Sequence, residues 1–147
     1  MCKLAFLVAL VLAAPLPWQG KAKHGFVVVV HSSNACSADA EAARSIVKKL
    51  FLKEMSQWPA GVDARPYARE GTTAEQTIFL KVVLGMTDAE IARHWLKMKN
   101  MSGTTPPKCV DNERLVLKYV ARHEGAFGVV RADAVKGVAG VRVLFEF

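Results

Sequence analysis

Residues 26–30 read FVVVV, five apolar residues in a row of which four are β-branched. A strand with one wet face alternates apolar and polar residues. An unbroken run of this length instead describes a strand buried on both faces. Such a strand needs a layer of structure on each side, so the chain must build a sheet covered twice, and a parallel sheet with helical crossovers is the expected form. The rest of the chain supplies the parts. Ser37 or Asp39 can cap a helix running to about Leu52, with Ala43, Ile46, Val47 and Leu50 on one face. Residues 62–67 read as a short strand that Pro66 confines to a sheet edge or a strand end. Thr72 and Glu75 have capping-box spacing ahead of Ile78, Phe79, Val82 and Val83, with Gly85 as a stop. Thr87 and Glu90 repeat that spacing ahead of Ile91, Trp95 and Met98. A strand at 108–110, a helix capped by Asp111 with Leu115, Val116, Tyr119 and Val120 on its face, and strands at 126–130 and 141–145 complete the pattern. Strands separated by helices predict an α/β fold with a mostly parallel sheet flanked by helices.

The first 22 residues belong to a different category. Lys3 is followed by a dozen apolar residues, then Pro15, Pro17 and the small-residue ending Gly20-Lys21-Ala22. The run is shorter than the roughly 20 residues a membrane span needs. The layout is that of a secretory signal peptide, which predicts a mature domain over 23–147, periplasmic or secreted and without a membrane span. Removing Lys3 and Lys21 lowers the formal net charge from +7 to +5. A mildly basic exported domain suits anionic partners. Lys48, Lys49, Lys53, Lys97 and Lys99 fall within helical patterns and read as solvated faces. No aromatic residues are interleaved with them, so no nucleic-acid groove is expected. With 52% hydrophobic residues, 10 Gly and 6 Pro in 147, disorder, a collagen-like repeat and a multidomain enzyme are excluded. Cys36 and Cys109 remain in the mature chain, and in an exported protein they either form one bridge or stay as two thiols.

The catalytic inventory is thin. The four histidines show no metal-ligand spacing, no nucleophile elbow or phosphate-binding glycine loop occurs, and the carboxylates are scattered. No enzyme, metal or cofactor is expected. One segment carries binding chemistry. Arg69-Glu70-Gly71-Thr72-Thr73 sets a cation, a permissive glycine and two hydroxyls at a helix start, where unpaired amides and the positive helix end favour an anion. Plain N-capping by Thr72, with Arg69 in solvent, is the alternative.

The segments VVVVHSSNACSADAEAARSIV, LFLKEMSQWPAGVDARPYAREGTTAEQTIFLKVVLGMT, GTTPPKCVDNERLVLKYVARHEGAFGVV and VRVLFEF occur in this order. Together they resemble the small, exported phosphate-transport substrate-binding-like proteins of the type II periplasmic binding protein superfamily. The resemblance runs from about Phe26 to Phe147. It implies a single α/β lobe like half of a periplasmic binding protein. It also implies weak binding of phosphate or a similar oxyanion at Arg69, Gly71, Thr72 and Thr73, and work alongside an ABC transporter or another envelope protein. The chain departs from the pattern where phosphate-binding relatives place Ser-Gly-Thr after the arginine. Here Glu70-Gly71-Thr72-Thr73 stands instead, and Glu70 brings a negative charge that opposes an anion. The alternative that follows is a single-lobe protein-interaction module that has lost its ligand.

Overall fold

A computed structural model describes residues 24–147. The signal-peptide expectation for residues 1–22, and the first residue of the expected mature domain, lie outside the described residues. Strand β1 (Phe26–His31) leads into helix α1 (Ala40–Phe51), whose N-terminus is capped by the Asp39 carboxylate accepting from the Ala42 amide at 2.9 Å. Strand β2 (Arg65–Arg69) is followed by helix α2 (Ala74–Ile78), which continues as a π-helix (Phe79–Leu84) and stops at Gly85. Gly85 takes a left-handed φ of 64°, which suits a residue without a Cβ. Helix α3 (Asp88–Ser102), strand β3 (Lys108–Val110), helix α4 (Glu113–Arg122), strand β4 (Ala126–Arg131) and strand β5 (Val141–Glu146) complete the order.

The five strands form one sheet in the order β3-β2-β4-β1-β5. The α/β class and the helix-covered sheet agree with the sequence reading. Strand direction does not follow it throughout. β2 pairs in parallel with β3 and β4, but β1 is antiparallel to both of its neighbours, β4 and β5. The FVVVV run reports burial on two faces, and two covered faces do not fix the direction of the neighbours. Val28 and Val30 point into a core with Val47, Leu50, Phe51, Phe79 and Phe127. Val27 and Val29 point the other way, onto Val116 and Val120 of α4. Each of these four valines is at most 3% exposed, and each contributes roughly 1.5–3 kcal/mol by burial.

Pro66 sits second in β2, opposite Phe127 of β4, so it marks a strand start in the sheet interior. The ends of the described chain meet. The amides of His24 and Phe26 both donate to the Phe147 carbonyl, at 2.9 and 3.4 Å, and the Phe147 amide donates back to Phe26. Because β1 runs against β2, β3 and β4, the Ser32-Ser33-Asn34 loop and Arg69 lie at opposite ends of the sheet.

Candidate functional site

Arg69 closes β2, in register with Val110 at the close of β3. Its side chain is folded inward rather than free. Nε donates to Glu75 Oε1 at 3.0 Å, and Nη1 donates to the Val110 carbonyl at 2.6 Å. The Arg69 amide donates to Gln76 Oε1 at 2.9 Å. Arg69, Glu75 and Gln76 are all buried. Three hydrogen bonds therefore lash the end of β2 to the first turn of α2 and to β3. Of the guanidinium nitrogens, Nη2 has no hydrogen-bond partner among the described residues.

Glu75 sits in the first turn of α2, where the helix end favours a negative charge. Its carboxylate thus answers both the helix end and the arginine. The pair is neutral, so an approaching oxyanion meets a dipole rather than a full positive charge.

The cap of α2 differs from the expected box. Thr73, not Thr72, is the N-cap, with its Oγ1 accepting from the Gln76 amide at 3.4 Å and donating to the Glu70 carbonyl at 2.8 Å. The reason is the competing demand on Glu75: a buried cation claims the carboxylate that a Thr72 box would have used. Gly71 and Thr72 are exposed. The structure thus brings Arg69 and Thr73 to the same helix start, with Thr72 on the solvent side. Sequence reasoning missed Gln76 altogether and gave Glu75 the wrong partner. The available signal was an arginine at a strand end followed by two adjacent side chains able to accept its N–H groups.

Asn112, rather than the expected Asp111, caps α4 by accepting from the Leu115 amide at 2.9 Å. The Thr87–Glu90 box at α3 forms as expected, with Thr87 Oγ1 and Glu90 bonding in both directions. Cys36 and Cys109 are both free thiols, one buried and one exposed. Cys36 follows β1 and Cys109 lies on β3. β4 and β2 stand between those strands, at about 4.8 Å per step, whereas a bridge requires Cα atoms within about 7 Å. The bridge alternative is therefore corrected to two thiols. No group of three or more His, Cys, Asp or Glu residues able to hold a metal occurs among the described residues. No described helix is long and apolar enough to cross a membrane.

A five-stranded sheet with helices on both faces, and a buried arginine at the end of a parallel strand, make up a single α/β lobe. Solved structures share this architecture. The chain superposes on an ABC-type phosphate transport receptor from Vibrio cholerae with a TM-score of 0.61 at 16% identity, over 81% of this chain and 44% of that one. It superposes on PstS from Borrelia burgdorferi with a TM-score of 0.60 at 9% identity, over 82% of this chain and 46% of that one. The fold implied by the resemblance is the fold found, and the chain spans about half the length of these neighbours. Compared by sequence, it matches no family model and no curated protein.

Proposed function

We propose that this protein is an exported, non-enzymatic accessory of oxyanion uptake. It holds phosphate or a related oxyanion weakly by itself and acts with a transporter or another envelope protein. The observation that carries this reading is the Arg69–Glu75 pair at the start of α2. Arg69 keeps Nη2 open, Gly71 and Thr72 are exposed beside it, and the first amides of a helix have no partners within the helix. These groups favour an anion. Glu75 cancels the arginine's charge, and a lone lobe leaves one side of any anion in water, so each contact is weakened. A dissociation constant near millimolar, about −4 kcal/mol, follows.

Calorimetric titration with phosphate and sulfate tests the reading. The natural protein should bind in the millimolar range. Glu75→Gln removes the internal charge while keeping an acceptor for Nε, and should bind about ten-fold tighter. Micromolar binding by the natural protein would overturn the accessory role, and no saturable binding by either form would overturn the oxyanion. In the latter case the lobe acts as an interaction module alone. α3 favours that second reading: none of its 15 residues is buried, and Leu96 and Met101 are 61% and 72% exposed.

A further inference from the structure

At the end of the sheet opposite Arg69, a cavity of about 180 Å³ is lined by Ser33, Asn34, Trp58, Val62 and Glu124, among others. Drug-sized ligands occupy roughly 300–1,000 Å³, so this cavity takes something smaller. Its walls are fixed. The Trp58 indole N–H donates to the Gly125 carbonyl at 3.0 Å. Arg142 Nη2 clamps the neighbouring loop through the Asn34 and Cys36 carbonyls, both at 2.7 Å. Gly125 is required here, since a Cβ at that position would overlap the Asp63 carbonyl.

The polar groups divide by sign. Asn34 is only 9% exposed, and its Oδ1 accepts from the Cys36 amide at 2.9 Å. Its Nδ2 has no partner among the described residues, yet it is not sealed from solvent, and Asn34 lines the cavity. That is a donor waiting for an acceptor. His31 Nδ1 accepts from the Ser33 amide at 3.1 Å, so it carries no proton and the Ser33 hydroxyl donates to it at 2.7 Å. The Ser33 Oγ lone pairs are left to accept. Glu124 is exposed and has no ion pair among the described residues. An adjoining cavity of about 330 Å³ shares Val62 and Glu124 and adds Asp63, Arg65, Arg122 and His123. Asp63 already accepts from Gln57 Nε2 at 2.9 Å.

We propose that this cavity binds a small α-amino acid zwitterion, its ammonium between Glu124 and Ser33 Oγ and its carboxylate on Asn34 Nδ2. The Trp58 ring contributes apolar area and favours the cation. The site is independent of the oxyanion reading at Arg69.

The test follows the Trp58 indole N–H and the Asn34 side-chain amide by ¹H–¹⁵N NMR during titration with glycine and L-alanine. Methylammonium and acetate serve as half-ligands. Saturable shifts of both signals with the amino acids are expected, with binding about ten-fold weaker in Glu124→Gln and in Asn34→Asp. Asn34→Asp keeps the oxygen that accepts from Cys36 and is read at the Trp58 N–H alone, and Glu124 is at the surface, so both variants should retain the native backbone spectrum. An absence of saturable shifts overturns the proposal. So does binding unchanged in both variants, or a half-ligand binding as tightly as the amino acid.

Discussion

Arg69 and Glu75 form an ion pair with Nε and Oε1 3.0 Å apart, and their side chains are only 8% and 10% exposed. Taking one partner away leaves a charge stranded in the interior. Glu75→Ala should therefore destabilise the protein by about 3–5 kcal/mol, and Arg69→Ala by a similar amount. Urea denaturation measures both. A loss under about 1 kcal/mol for either would show that the pair is exposed in solution.

The cap assignment at α2 separates two neighbouring threonines. Thr73→Ala should cost about 1 kcal/mol, because the Gln76 amide and the Glu70 carbonyl both lose a partner. Thr72→Ala should stay within about 0.5 kcal/mol. Thermal melts of the two variants, compared side by side, give the answer. The reverse order would restore Thr72 as the cap.

Acid should loosen the start of α3 specifically. The Thr87 amide and hydroxyl, bonded to the Glu90 carboxylate, hold its pKa below the ordinary glutamate value. A carboxyl whose folded pKa is depressed stabilises the fold above its unfolded pKa, and that contribution is lost as pH falls through the folded pKa. The Thr87 and Glu90 amide resonances should move toward coil positions over that window. In Glu90→Gln they should not.

Native-state thiol labelling should divide the cysteines into two classes. In the chain lacking residues 1–22, Cys109 should react at once and Cys36 only after denaturant is added, since one is exposed and the other buried. Recovery of a single disulfide from non-reduced material would contradict the placement of both residues.

Gly128 sits on β4 where a Cβ would lie 2.5 Å from Val116 Cγ1 of α4. Gly128→Ala should overpack that contact and cost about 1–3 kcal/mol, visible as a lower melting temperature.

The two Thr-x-x-Glu segments show how far sequence carries and where it stops. Local spacing is the same in both. At α3 nothing competes for Glu90, and the box forms. At α2 a buried arginine from a neighbouring strand claims Glu75, and the cap passes to Thr73. The competition is tertiary, so a local pattern cannot report it. Strand β1 is legible for a comparable reason and limited in the same way. Four consecutive buried valines require two covered faces, but the direction of β4 and β5 depends on how the chain returns after β3 and β4. The segment 69–73 was legible as a helix start with an arginine beside it. The identity of the group answering that arginine was not, because it lies six residues further on and is selected by burial.

The meeting of His24 and Phe26 with Phe147 has a mechanical consequence. β1 begins and β5 ends at the same edge of the molecule, and their antiparallel hydrogen bonds run perpendicular to the strands. A force that pulls the two ends apart loads those bonds one after another, as a zip is opened, rather than all together in shear. The closing strand should peel away at low force from the Phe147 end inward, because in the sheet β5 is held by β1 alone, whereas β1 is held by β4 as well.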